Sequence, residues 1–343
     1  MKPYQSAAKT LHFVKLNIEL GFNIKPYTTQ KIEGRISIPE SGKTFDVSMG
    51  VAEFEQTGPD TFERKEFGKD AINSLNPSLP VWVPIHGRKA SEKSNTINEL
   101  ALQLSLKGQQ VITVDWHEAA RDNDMLIGEL AGASWIPSVG AWVVNQLKVA
   151  GFTGDKVIVA GPSWGSFVAY EIGSGFKEGD DGNGFGIQAI VAMDSPLDVL
   201  PNSFQSSNVV FNDVSRVSWS IKSSIFGSDT RSNTAHVNFE IVPPSEISEQ
   251  SIFMPPMNKM LIDTVQAYFG EHGYATSYFS NLIAGMGDES LSVLNINDLI
   301  DGKTPQITVN PHKIDGTLPI TLREAAGPEG TYWQAVPVKL SNP

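Results

Sequence analysis

Residues 157–165 of the chain read VIVAGPSWG. The apolar run at its start predicts a buried strand, and a Gly-x-Ser-x-Gly pattern follows at once. In that pattern the serine sits on a sharp strand-to-helix turn, so the residues two positions away on either side must be small. Residues 166–172, SFVAYEI, continue with helical character. The sequence therefore predicts a strand–turn–helix unit that presents the Ser163 hydroxyl at the carboxyl end of a sheet.

Short apolar runs alternate with helical patterns on both sides of this unit. Val81–Ile85, Val111–Val114 and Ile187–Met193 are typical of buried strands, whereas Ile97–Leu106 and Trp135–Leu147 have the spacing of helices. Strands that alternate with helices form a mostly parallel sheet covered on both faces. We therefore predict an α/β fold.

Both ends of the chain are richer in strand patterns and turns. Alternation at residues 13–18 and 31–38 predicts strands near the start, and residues 306–309, 318–322 and 333–340 are β-like near the end. We divide the chain into a β-rich region at 1–78, a central α/β domain at 79–290 and a β-rich region at 291–343.

Composition excludes several classes of protein. The chain has 343 residues, 40% of them hydrophobic, which suits a folded domain with a sizeable core. Its net charge of −12 argues against nucleic-acid binding, which needs clustered Lys and Arg. It contains no cysteine, so thiolate metal sites and cysteine nucleophiles are excluded. We see no signal peptide and no stretch apolar enough to span a membrane.

Over roughly residues 81–283 the sequence resembles the pancreatic-lipase family. Short segments stand in the order of that family's motifs, with Pro162 and Trp164 as departures from its G-H-S-L-G. The segments are Ile85–Arg88 (strand-end H-G), Val114–Trp116 (V-D-W), Gly161–Gly165, Val191–Pro196 (G-L-D-P), Ala235–Phe239 (G-H-x-D-F) and Glu271–Phe279 (N-H-x-x-S-x-x-Y-[YF]).

The resemblance implies an α/β-hydrolase fold and a Ser-Asp-His triad. Carried over residue by residue, it makes Ser163 the nucleophile, Asp194 the orienting acid and His272 the general base, with His272 at the start of a helix. This chain order is the one that α/β hydrolases use. Backbone N–H groups of Trp164 and Arg88 would form the oxyanion hole. We expect no cofactor and no metal, since the family's calcium ligands do not map cleanly onto this sequence.

Other residues compete for these roles. His86 closes a core strand and is the main alternative base, and Asp198 and Asp213 are the alternative acids. The remaining histidines are weaker candidates because none follows the acid at the site end of the sheet: His12, His117, His236 and His312.

Two segments carry further hypotheses. Residues 241–270 precede His272 and contain an apolar cluster around Phe253 and Met257, which would suit either a lipid-facing lid or ordinary core packing. Residues 180–184, DDGNG, resemble a calcium loop only weakly, and a flexible connection explains them better.

The resulting expectation is a serine carboxylic-ester hydrolase acting on lipid esters, in the manner of a triacylglycerol lipase. Phospholipase A1, a short-chain carboxylesterase and a non-catalytic lipid-binding protein on the same fold stay open as alternatives. We expect lipid or other ester substrates, at most transient contact with lipid interfaces, and no nucleic-acid partner. We expect a secreted or exported protein, with a cytoplasmic location as the alternative.

Overall fold

The fold is seen in a computed structural model, which describes residues 23–27, 31–38, 42–59, 61–67, 69–122, 131–179, 184–197, 208–224, 227–241, 259–284, 296–302, 320–327 and 330–337. The strands are β1 (Asn23–Tyr27), β2 (Ile32–Ile38), β3 (Lys43–Gly58), β4 (Thr61–Phe67), β5 (Val81–Pro84), β6 (Gln110–Asp115), β7 (Val157–Pro162), β8 (Ile187–Met193), β9 (Ser215–Lys222), β10 (Val237–Ile241), β11 (Ile320–Gly327) and β12 (Gly330–Pro337). The α-helices are α1 (Lys69–Ser74), α2 (Asn95–Leu106), α3 (His117–Ala120), α4 (Ile136–Val149), α5 (Trp164–Glu178), α6 (Asp229–Ser232), α7 (Lys259–Ala284) and α8 (Ile296–Asp301).

The centre of the sheet is parallel, with the strand order β6-β5-β7-β8-β9-β10. Strands β5 and β8 are buried along their whole length. Such near-continuous apolar strands are typical of parallel sheets that have helices on both faces. The prediction of an α/β fold with a mostly parallel sheet is confirmed.

Strands from both ends of the chain extend this sheet. On one side β3 runs antiparallel to β6, with Ser48 opposite Asp115, and β2 and β4 pair with β3. On the other side β12 pairs with β10, and β11 pairs with β12. The β-rich ends therefore join the central sheet by backbone pairing. The boundaries at residues 78 and 290 stay a prediction, because strand pairing does not show where a folding unit ends.

Two hydrophobic cores lie on opposite faces of the sheet. Successive side chains of a strand point to opposite faces, and in β5 Val81 and Val83 belong to one core while Trp82 belongs to the other. The first core contains α4 and α5, and the second contains α2 and part of α7. The helices thus form layers above and below the sheet, and the carboxyl ends of the parallel strands stay at one edge.

Glu99 is a charged residue inside this packing. It lies in α2, is 8% exposed, and its Oε1 has no hydrogen-bond partner among the described residues. Burial raises its pKa to about 8, from 4.5 for an unperturbed glutamate. The folded state therefore holds a proton that the unfolded state releases above pH 4.5.

We predict that Glu99→Gln makes the protein more stable at alkaline pH. Because the pKa of Glu99 is raised in the folded state, its contribution to stability is fully present below pH 4.5. That contribution is lost as pH rises through about 8. Thermal melts at pH 5, 7 and 9 should show a smaller decline for the variant, with a gain of order 2–4 kcal/mol at pH 9. Glu53→Gln, at an exposed position of β3, is the control and should follow the wild-type decline. Parallel declines in all three proteins would contradict the burial argument.

Candidate active site

Ser163 occupies a strained turn between β7 and α5. Its φ and ψ are 53° and −130°, values that are costly for a residue with a side chain. The turn is held by hydrogen bonds from Ser163 N to Met193 O at 2.9 Å and from Ser166 N to Ser163 O at 2.9 Å. The strand–turn–helix unit expected from the sequence is therefore present, with the serine at the carboxyl end of β7.

Three glycines leave the space that this turn needs. A Cβ on Gly161 would lie 2.3 Å from the Gly165 carbonyl, and a Cβ on Gly165 would lie 2.5 Å from Ile85 O. A Cβ on Gly87 would lie 2.8 Å from Ser163 Cβ. The small residues are required because α5 begins directly against the end of β5, and this contact also brings the Gly87 backbone beside the serine.

Asp194 follows β8, the strand next to β7. Pro162 and Met193 are paired across these strands, so Ser163 and Asp194 leave the sheet at the same level. Asp194 is fully buried and has a φ of 48°. Its Oδ1 accepts hydrogen bonds from Ser223 N at 2.8 Å and Ser224 N at 3.0 Å, and its Oδ2 accepts one from Ser224 Oγ. These hydrogen bonds fix the orientation of the carboxyl group.

His272 contacts the acid directly. Its Nδ1 lies 2.5 Å from Asp194 Oδ2, and its side chain is 14% exposed. A hydrogen bond at Nδ1 leaves Nε2 as the nitrogen that can accept a proton. The structure thus brings together the acid and the base that the sequence predicted, from positions 78 residues apart.

The expected position of His272 at a helix start is wrong. Helix α7 begins at Lys259, so His272 lies in its interior. Residues 259–271 contain no proline and one glycine, at 270, and nothing in them forces the helix to begin later. The local sequence therefore allows the helix to begin before the motif, at Lys259.

Trp164 and Arg88, the predicted oxyanion-hole residues, both lie beside the turn. Trp164 is the first residue of α5, where a backbone N–H has no partner within the helix. Arg88 follows Gly87, and its guanidinium lies 5.2 Å from the Trp164 ring centroid. The two backbone N–H groups remain predicted donors.

His86 is held in a structural network. It is fully buried, its Nδ1 lies 2.9 Å from Gly87 O, and its Nε2 accepts the Trp116 N–H at 3.0 Å. Its ring stacks on Trp116, and Nε2 also lies 3.2 Å from Asp115 Oδ1. Both ring nitrogens are engaged, so this histidine supports the end of β5 and is a poor candidate for a general base.

Asp115 lies at a polar cavity away from the predicted triad. Burial alone would raise the pKa of Asp115, but its interactions with His86 and Glu92 hold that pKa well below its usual range. His117 Nδ1 lies 3.0 Å from Asp115 Oδ2. The cavity, of about 390 Å³, is lined by Glu33, Gly34, Arg35, Asp46, Val47, Ser48, Asp115, His117 and Glu118. None of Ser163, Asp194 and His272 lines it.

The other candidates are either engaged elsewhere or outside the described residues. His236 Nδ1 accepts the Ser218 N–H at 3.1 Å, and burial lowers its pKa. Asp213 is exposed and lies in a short 3-10 helix that precedes β9. His12, His312, Asp198, residues 180–183 and residues 242–258 of the predicted lid lie outside the described residues. Within the described part of the chain, no group of three or more His, Asp or Glu side chains could hold a metal ion.

Sequence reasoning missed the residues that hold Asp194. Ser223 and Ser224 come directly after β9, and a Cβ on Gly227 would lie 2.4 Å from Asp194 Oδ1. The available signal was positional, since polar residues after a strand meet those after the neighbouring strand at the carboxyl edge of a parallel sheet. That inference requires the pairing of β8 with β9 to be known.

The parallel strands in the order β6-β5-β7-β8-β9-β10, the antiparallel β3 beside β6 and the strained serine turn after β7 together define the architecture. The chain has the α/β-hydrolase fold. Among the described residues, no helix is long and apolar enough to cross a membrane.

Several solved structures that match this chain are described as hydrolases. A thermophilic carboxylesterase from a metagenomic library is 12% identical, with 73% of this chain and 90% of that chain covered and a TM-score of 0.35. An α/β serine hydrolase without a lid from Xanthomonas campestris is 14% identical, with coverages of 60% and 78% and a TM-score of 0.33. An α/β serine hydrolase homologue from Coxiella burnetii is 9% identical, with coverages of 57% and 75% and a TM-score of 0.33.

At these identities and TM-scores the similarity bears on neither the reaction nor the substrate. No family model matches the sequence, and no curated protein matches it. The closer resemblance to the pancreatic-lipase family therefore stays a prediction from the short motifs.

We predict that Gly165→Ala destabilises the turn at Ser163. The added Cβ would lie 2.5 Å from Ile85 O, which is backbone and cannot move aside without shifting β5. We expect a loss of about 1–3 kcal/mol of unfolding free energy in denaturant titrations. Gly58→Ala is the control, because its Cβ would meet only the Thr61 side chain, at 3.3 Å. Equal stability of the two variants would contradict the close packing of α5 on β5.

Proposed function

We propose that this chain is a serine hydrolase that cleaves carboxylic esters through a covalent acyl-enzyme. The observation that carries the proposal is the 2.5 Å hydrogen bond between His272 Nδ1 and Asp194 Oδ2, at the end of the strand beside Ser163. A triad of this kind needs a buried carboxylate that orients an imidazole and a serine exposed on a strained turn, and both parts are found at the ends of the neighbouring strands β7 and β8.

In the proposed reaction Ser163 Oγ attacks the ester carbonyl carbon, and His272 accepts the hydroxyl proton at Nε2. Asp194 holds Nδ1–H and stabilises the imidazolium that forms. The bond to the alcohol oxygen then breaks as His272 returns the proton to that oxygen, and the acyl group stays on Ser163. Water attacks the acyl-enzyme, His272 takes its proton, and transfer of that proton to Ser163 Oγ releases the carboxylic acid.

The negative charge of the tetrahedral intermediates requires donors beside Ser163. We assign this role to the backbone N–H groups of Trp164 and Arg88. Trp164 N–H lies at the amino end of α5, where the helix dipole favours negative charge. Because backbone groups donate, the departures at Pro162 and Trp164 from the family pattern leave the donors in place and change the surroundings of the acyl group.

For the substrate we propose lipid esters, with acylglycerols as the first choice. This finer proposal rests on the motif resemblance, and phospholipase A1 and short-chain carboxylesterase activities are its alternatives. The three activities share the same chemistry at Ser163, so they differ in which acyl chains and leaving groups are accepted.

We expect Ser163→Ala to lower kcat for p-nitrophenyl esters by about 10⁴-fold or more, because the covalent step is lost. A fluorophosphonate should label the wild-type protein at Ser163, as read by peptide mapping, and should not label the variant. Ser174→Ala, in the helix α5 that follows Ser163, is the control and should keep the wild-type rate and labelling. Wild-type activity in Ser163→Ala would contradict the assignment, and a wild-type protein with no labelling would favour the non-catalytic lipid-binding alternative.

A comparison of substrates tests the lipid preference. The pair Phe253→Ser and Met257→Ser should lower the rate on emulsified long-chain esters by several-fold more than the rate on soluble short-chain esters, since only the former need an apolar entry surface. Rates on acylglycerol emulsions, phospholipid vesicles and p-nitrophenyl butyrate provide the measurement. An equal loss on all three would argue for a packing role of these residues, and wild-type activity confined to the butyrate would point to a carboxylesterase.

A further inference from the structure

The turn that follows β9, described at Ser223, Ser224, Gly227 and Ser228, contacts both the predicted acid and the helix of the predicted base. Ser223 and Ser224 are 5% and 4% exposed, so this contact lies inside the protein. The turn is fixed to the segment after β8 by the hydrogen bond from Ser228 N to Ser195 O, at 2.7 Å, and by the bridge between Pro196 and Gly227. These described residues are therefore bonded to the segment that leaves the carboxyl end of β8.

The two carboxylate oxygens of Asp194 accept different kinds of hydrogen bond from this turn. Oδ1 accepts the backbone N–H groups of Ser223 and Ser224, which any residue at these positions could supply. Oδ2 accepts the Ser224 hydroxyl together with His272 Nδ1. The Ser224 side chain thus acts on the same oxygen that orients the imidazole, and it prevents the carboxylate from rotating about its last bond.

Ser223 extends the contact to helix α7. Its Oγ accepts the backbone N–H of Ala275 at 3.2 Å. Ala275 comes three residues after His272 and lies nearly one turn further along the same helix. An N–H inside a helix ordinarily donates to the carbonyl four residues earlier, so a side-chain acceptor at this point ties the helix to the turn and limits its rotation and sliding near His272.

We propose that Ser223 and Ser224 are positioning residues that lock the Asp194–His272 pair, Ser224 by orienting the carboxylate and Ser223 by holding the helix that carries the imidazole. Their effect on rate rests on the proposed ester hydrolysis, whereas their effect on the hydrogen bond does not. The charged residues on either side of this turn, Lys222 at the end of β9 and Asp229 at the start of α6, form an ion pair with each other. The turn therefore presents neutral donors to the acid.

The test is the proton NMR signal of the His272 Nδ1–H group, which resonates far downfield when it is bonded to a carboxylate and is assigned by its loss in His272→Gln. Ser224→Ala should shift or broaden this signal, because Oδ2 loses its second donor and the carboxylate gains freedom. Ser220→Ala is the matched control: Ser220 is also fully buried at the end of β9, but its hydroxyl bonds to Ser232 Oγ. The control should keep the wild-type signal.

Kinetics give the second readout. Ser224→Ala should lower kcat on a soluble ester by roughly 10- to 100-fold, as loss of a group that orients a functional histidine does elsewhere, with KM changed less than about twofold. Ser223→Ala should lower kcat in the same sense, and Ser220→Ala should leave it unchanged. If Ser224→Ala unfolds, Ser224→Cys keeps a weak donor of similar shape, and its signal should be displaced from the wild-type position.

The outcomes separate this proposal from the proposed function. A folded Ser224 variant with the wild-type signal and wild-type kcat overturns the positioning role while ester hydrolysis stands. A wild-type protein with no ester hydrolysis and no labelling at Ser163 overturns the proposed function, and the NMR comparison of Ser224→Ala with Ser220→Ala still decides whether the turn locks the pair. A signal changed equally in both variants overturns the positioning role, because it would report a general disturbance of β9.

Discussion

The parallel pairing of β7 with β8, in the register that sets Pro162 opposite Met193, is the constraint on which the site depends. The chain leaves both strands at one level, and the hydrogen bond from Ser163 N to Met193 O joins the two exits at 2.9 Å. A shift by one residue would turn the side chains of a strand to the opposite face. Because each face of these strands packs against its own core, such a shift would exchange side chains between two closely packed cores, so the cores hold the register that sets Ser163 and Asp194 at the same level.

Two residues with unfavourable backbone dihedral angles lie at the carboxyl edge of the sheet. Ser163 and Asp194 both have positive φ, which costs of order 1–3 kcal/mol for each residue. Around them the structure places glycines in contacts too close for a Cβ, at Gly87, Gly165 and Gly227. The cost is offset by the rigid surroundings, since the strands below are fully buried and the Asp194 carboxylate accepts several hydrogen bonds. Strain of this kind persists only where neighbouring structure leaves no alternative.

The features that the sequence predicted well are local. Nine consecutive residues, 157–165, determine the turn at Ser163, and its glycines are required by contacts within the turn and with the adjoining strand. Asp194 was predicted because it ends an apolar strand in a recognisable segment, and the structure places it directly after β8. His272 depended on a motif, and its placement at a helix start was wrong because no proline stands between Lys259 and the motif, and the single glycine there does not end the helix. Ser223 and Ser224 could not be found from the sequence, since their role arises only when β9 pairs beside β8.

The predicted base, His272, is harder to place precisely, because it belongs to a long helix that is not part of the sheet. Its partner acid lies 78 residues earlier, and the hydrogen bond between them joins a rigid strand end to a packed helix. Packing of apolar side chains against the sheet is non-directional and tolerates small rotations of a helix, whereas a triad needs its groups within fractions of an ångström. Directional hydrogen bonds can supply that precision. In this chain they come from one short turn after β9, which bonds both Asp194 and the backbone of α7 at Ala275. The positions of the predicted acid and base thus both depend on the turn that follows β9.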